Sequence, residues 1–205
     1  MKLVYFPGAC SFAPHVALRE AGIPFTLVRL DRETHALEGD GQLEDLNDKG
    51  RVPVLVLDDG QRLTEVAVVC QYIADQRPES GLAPRAGTME RYRLQEWLNY
   101  LATEIHKLYW PLFHGPDAEK PGSKERLEHQ FDWVERKLGA RPFLMGNGFT
   151  VADAYLLTMV NWMRPAGLDP TGWPSLKAYR ARLSERPSVR AALEAEGLLR
   201  PRGSS

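Results

Sequence analysis

The first 78 residues alternate short apolar runs with short amphipathic stretches. "KLVYF" predicts a strand, "APHVALREAG" a helix stopped at Gly22, and "FTLVRL" a second strand, with residues 33–47 an irregular, partly helical link. "VPVLVL" and "QRLTE" flank "DDG", the pattern of a Gly-closed hairpin, and "EVAVVCQYIADQ" follows as a helix. The order βαβαββα predicts an α/β layer with a mixed sheet, because the hairpin imposes an antiparallel pair.

The period then changes. "RPESGLAPRAG", residues 77–87, carries two prolines and two glycines without periodicity and reads as a connection. From Thr88 to Phe113, Leu94, Trp97, Leu98, Leu101, Ile105, Leu108 and Leu112 recur three or four apart, predicting one long amphipathic helix. Further helices are predicted at about 123–139, 151–163, 175–185 and 188–196. The expected division is an α/β domain over 1–78, a linker over 79–87 and an all-helical domain over 88–205, with the last residues, "PRGSS", carrying no fold signal. In "GFTVADAY", Thr150 is placed as a helix N-cap, Asp153 three residues on returns the cap, and Phe149 packs on the first turn.

Composition narrows the function classes. The 205 residues carry 26 Lys plus Arg against 27 Asp plus Glu, so no global charge draws the chain to nucleic acid or an anionic membrane, and a small-molecule partner is expected. Cys10 and Cys70 make neither a disulfide framework nor a metal-site spacing, which suits a reducing, cytoplasmic setting. No apolar run reaches membrane length, and the apolar start "LVYF" is too short for a signal-peptide core.

Four stretches carry candidate chemistry. Cys10 precedes the first helix, so it reads either as a core filler or as a thiol whose pKa is lowered by free N–H groups and the helix dipole. Cys70, among Val66, Val69 and Ile73, reads as core. In "GRVPV", Pro53 opens a strand; Val52 reads either as an ordinary strand start or as a backbone docking point for an extended peptide-like ligand. Glu65 begins a helix, where it answers the dipole or meets an ammonium while free N–H groups take a carboxylate. In "WLNYLATEIHKLYWPLF", Asn99 and His106 lie seven apart on an expected common face, and Lys107 adjoins His106. Two such cations beside a sulfur would hold it as thiolate.

Together these segments resemble the glutathione S-transferases, most closely the bacterial beta class. The resemblance runs through "YFPGACS", "NDKGRVPVL", "LTEVAVVCQYIAD", "EWLNYLATEIHK" and "GFTVADAY", in that order along nearly the whole chain. It implies a thioredoxin-like first domain, a helical second domain, glutathione as cosubstrate, no metal, and a homodimer. Carried over, Cys10 becomes the active-site cysteine with Ser11 beside the glutathione sulfur. Val52 bonds the cysteinyl part with Pro53 cis, and Glu65 and the Val66 amide take the γ-glutamyl end. His106 and Lys107 stand near the sulfur, and Asn99 and Glu104 meet the ligand from the same or the partner subunit. Three positions depart from the family pattern: Asp48, Val66, and His35 at the place of a lysine for the glycine carboxylate. Phe12, Tyr109, Trp110 and Phe113 are the expected wall for a hydrophobic electrophile. The implied activity is conjugation of the glutathione thiolate, with disulfide exchange at Cys10 beside it. A non-catalytic binding or stress-regulatory module is the alternative.

Overall fold

The computed structural model describes residues 1–199; "PRGSS" lies outside them. Four strands, β1 (Lys2–Tyr5), β2 (Thr26–Arg29), β3 (Val54–Val56) and β4 (Arg62–Thr64), form one sheet in the order β2-β1-β3-β4. The β1 and β2 strands run parallel, whereas β3 is antiparallel to both β1 and β4, giving the expected mixed sheet. Strand alternation sorts the side chains between two cores. Leu3 and Leu55, directly paired, face the main core, while Val4 and Val54, the next pair, join Leu30 and Leu43 on the other side. Leu43 lies on the short helix α2 (Leu43–Leu46), which ends the predicted link.

Helices α1 (Phe12–Glu20) and α3 (Val66–Gln76) cover the main face of the sheet. The helical half consists of α4 (Met89–Tyr100), α5 (Lys107–His114), α6 (Lys120–Leu138), α7 (Val151–Asn161), α8 (Pro174–Ser184) and α9 (Pro187–Ala195). The helix α7 is almost wholly buried, and α1 packs against it and α9, so one apolar core runs through both halves. Its start is closed by Asp153, which accepts hydrogen bonds from the Thr150 N–H at 2.8 Å, the Thr150 hydroxyl at 2.9 Å, the Leu144 N–H at 2.8 Å and the Tyr179 hydroxyl at 2.8 Å. Phe149, just before the cap, is buried edge-on to Phe143.

One expectation needs correction. The predicted single helix over 88–113 is interrupted by a π-helical turn over Leu101–His106, between α4 and α5. A π turn closes on i→i+5 bonds in place of i→i+4, and the apolar spacing carries on through it: Leu98 and Ile105, seven apart, are both buried in the core. Asn99 is exposed, and His106 is half-buried against α7. No helix among the described residues is long and apolar enough to cross a membrane.

Candidate functional site

Cys10 sits on the turn from β1 into α1, and that turn is held from both halves of the molecule. Gly8 has φ +74°, a left-handed conformation that glycine adopts without steric cost. Trp162, just after α7, donates its indole N–H to the Gly8 carbonyl at 2.6 Å. Glu196, just after α9, accepts the Gly8 N–H at 2.8 Å and meets His15 Nδ1 at 2.8 Å. Arg19 Nε donates to His15 Nε2 at 2.8 Å. An arginine nitrogen only donates, so His15 keeps its proton on Nδ1 and gives it to Glu196. Neither the His15 nor the Glu196 side chain has any exposed surface.

The Cys10 thiol donates to the Val52 carbonyl at 3.2 Å, and the Val52–Pro53 bond is cis. Burial pushes the thiol up to about 12; the amides of Cys10 and Ser11 pull it down without offsetting that, and the Glu65 charge adds to the rise. The expected lowering of the thiol pKa is thus overturned: the helix start does favour the thiolate, but desolvation is the larger effect. Cys70 is fully buried, as read.

His106 places Nδ1 at 2.6 Å from the Tyr155 hydroxyl, and its ring meets those of Tyr155 and Trp162 edge-on, at centroid distances of 5.8 and 5.2 Å. Burial pulls its pKa down to about 4 against the opposing Glu65 charge, so it is neutral at pH 7 and not the expected cation. The buried Tyr155 phenol titrates well above its ordinary range and keeps its proton, burial being the main cause and the charges of Cys10, Cys70 and Glu65 adding to it. With no other acceptor among the described residues, that O–H donates to Nδ1, which leaves the imidazole proton on Nε2. Lys107, the second expected cation, is exposed, with its ammonium 3.9 Å from Glu104.

Glu65 leads into α3 with φ +68°, outside the comfortable range of a residue with a side chain. Its exposed carboxylate forms an ion pair with Lys49, whose ammonium also donates to Thr64 Oγ1 at 2.8 Å. The Val66 side chain turns into the core, while its amide belongs to the first turn of α3, where N–H groups lack intrahelical acceptors. Cys10, Val52, Glu65, Tyr155 and His106 are thus gathered at the boundary between sheet and helices.

Other predicted positions are placed differently. Ser11 is fully buried, accepting from the Phe6 N–H and donating to the Phe6 carbonyl at 3.3 Å each, so its hydroxyl closes the turn and is not presented to a ligand. Phe12 and Tyr109 belong to the core, the Tyr109 hydroxyl donating to the Met159 carbonyl at 2.7 Å; neither can line an open wall. Trp110 and Phe113 are exposed at 49% and 38% and remain available. His35 is engaged with Glu44, and neither Asn99 nor Glu104 has a hydrogen bond or ion pair to Cys10, Val52 or Glu65. Sequence reasoning missed Lys49, Tyr155, Trp162 and Glu196. Lys49 and Tyr155 lie inside the motifs already quoted; nothing in the pattern marks Trp162 or Glu196 as partners of Gly8.

Residues 8–76 match the glutathione S-transferase N-terminal domain and residues 117–182 the glutathione S-transferase C-terminal domain. Glutathione S-transferase GstA of Escherichia coli O157:H7 is 44% identical over 97% of this chain and 100% of its own length. The chain belongs to the glutathione S-transferase family. A sphingomonad glutathione S-transferase solved in complex with glutathione shares 43% identity and superposes with a TM-score of 0.93, covering 97% of this chain and 100% of that one. The bacterial beta class glutathione S-transferase of Sphingomonas chungbukensis, also 43% identical, gives 0.94 over the same shares. The described fold is the thioredoxin-like and helical pair of this family, and the chain is a glutathione transferase, which removes the non-catalytic alternative.

Proposed function

We propose that this transferase conjugates the thiolate of glutathione itself to hydrophobic electrophiles, with Cys10 shaping the sulfur site as a neutral thiol. The observation that carries this reading is geometric: the buried Cys10 thiol spends its hydrogen on the Val52 carbonyl, and His106 is held at Nδ1 by the Tyr155 hydroxyl, which leaves Nε2 to serve as the N–H donor. An N–H donor fixed in position stabilises an arriving thiolate without needing a positive charge. Glutathione lies along Val52 and Pro53 through its cysteinyl backbone. Its γ-glutamyl ammonium replaces Lys49 at Glu65, its carboxylate takes the Val66 amide, and His35 serves the glycine end. Trp110 and Phe113 receive the electrophile. This reading divides the chain into a glutathione domain over 1–78 and a helical substrate domain over 88–205.

A homodimer completes it. Val68, Met89 and Tyr92, at the starts of α3 and α4, are 47%, 64% and 54% exposed, an apolar surface that a second copy would cover. Asn99, Glu104 and Lys107 then act on ligand from their own or the partner subunit. The free cysteines keep the cytoplasm as the proposed setting.

Disulfide exchange at Cys10 is the lesser reading, because attack needs a thiolate and burial holds this sulfur protonated. Turnover with glutathione and chlorodinitrobenzene, beside reduction of hydroxyethyl disulfide by glutathione, tests both. The wild type is expected to conjugate, and Cys10→Ala to keep about a tenth or more of that rate, since only a shaping contact is lost. Complete loss of conjugation in a folded Cys10→Ala protein would make Cys10 the nucleophile.

A further inference from the structure

We propose that the electrophile this transferase handles best is an anion, an unsaturated or aromatic compound carrying a carboxylate that Arg32 and Arg51 receive; this rests on the transferase reading above. Both arginines belong to the sheet half, and both reach the aromatic face of α5. The Arg51 guanidinium lies over the Trp110 ring at 4.6 Å. Trp110 stacks on His114 at a centroid distance of 4.1 Å, and Arg32 bonds to His114 Nε2 while lying over the Phe6 ring at 5.7 Å.

The two charges are held in place yet unspent. The neighbouring Lys49 is spent in an ion pair with Glu65, whereas these two guanidinium groups are fixed by aromatic rings instead. Arg32 and Arg51 have no ion-pair partner among the described residues; besides the His114 contact, the only acceptor is the Gly50 carbonyl, for Arg51. Arg51 directly precedes Val52, whose carbonyl takes the Cys10 thiol, so its backbone adjoins the sulfur site while its guanidinium reaches out to Trp110. Trp110 and Phe113 offer exposed rings to the apolar body of a substrate, and guanidinium groups match carboxylates in a planar, two-bond geometry. A wall with rings in the middle and unpaired guanidinium groups at its edge fits a carboxylated aryl or enone compound better than a neutral one. Cation–π stacking preorganises both arginines, which reduces the ordering cost on binding.

A matched pair of electrophiles tests this: chlorodinitrobenzene and its carboxylated analogue chlorodinitrobenzoate, each with glutathione. The quantity read is the ratio of kcat/KM for the anion over that for the neutral compound. Arg51→Gln and Arg32→Gln are each expected to lower this ratio about tenfold, the loss of one charge-assisted contact, with Arg51→Lys restoring part of it. The KM for glutathione, read in the same assays, separates the competing source of a carboxylate. A raised glutathione KM with an unaltered ratio would assign the arginines to the glycine end of glutathione and overturn the proposal, as would an unaltered ratio alone. Calorimetric binding of unreactive dinitrobenzoate against dinitrobenzene to the glutathione-loaded protein gives the same comparison without turnover. If neither electrophile reacts, the transferase reading fails, while preferential, arginine-dependent binding of the anion would still support this inference and its absence would still refute it.

Discussion

Glu196→Ala is expected to lose about 3 to 5 kcal/mol of folding stability, the cost of removing one member of a fully buried polar cluster. The carboxylate accepts from the Gly8 N–H and from His15 Nδ1, each at 2.8 Å, and no solvent reaches either side chain. Alanine leaves both donors unpaired in the dark of the core. It also cuts the tie between the segment after α9 and the turn that carries Cys10. For a chain of this size the loss corresponds to a fall in Tm of about 10 °C. Glu196→Gln should lose less, since one side-chain oxygen still accepts a hydrogen bond. Thermal denaturation followed by circular dichroism reads both; a fall of only a degree or two for Glu196→Ala would mean that water or a rearranged turn replaces the carboxylate.

The second large effect is on the cosubstrate. Glu65→Ala is expected to weaken glutathione binding tenfold to a hundredfold, from a charge-assisted contact worth about 1.5 to 3 kcal/mol. Glu65 is held at φ +68° with its carboxylate turned to Lys49 and Thr64, a strained arrangement that fits a group kept in position for a cation. Titration calorimetry with glutathione and with its analogue lacking the α-amino group distinguishes the contact from a general loss of shape. The two proteins should differ for glutathione and bind the deaminated analogue about equally. An equal loss for both ligands would place the ammonium elsewhere.

The elements were legible because each one buries its apolar residues with the period of its type, the strands between two cores and the long helix against one. Leu3 and Leu55 against Val4 and Val54 give the strand alternation, and Leu94, Leu98, Leu101, Ile105 and Leu108 keep the helical spacing that buries them. The π turn was not legible, because it is a change in backbone hydrogen-bond register that leaves this apolar spacing intact. Aromatic residues four apart posed a similar ambiguity: Tyr109 and Phe113 stack at 5.7 Å, yet one is core and the other exposed. Electrostatics was the least legible. Sequence places Cys10 at a helix start, but the sign of its pKa shift depends on how deeply distant segments bury it. The same burial, from α7 and Trp162, turns His106 from a presumed cation into a neutral donor.

The central claim is that the reacting sulfur belongs to glutathione and is ionised by the site. Ultraviolet absorbance of the thiolate, followed as glutathione is added to Cys10→Ala across a pH series, tests this most directly, because the variant removes the only protein thiol near the site other than the buried Cys70. The account predicts a thiolate band that appears with bound glutathione near neutral pH and titrates below the usual thiol pKa of about 8.5. A band absent from Cys10→Ala but present in the wild type would contradict it, and would return the nucleophile's role to Cys10.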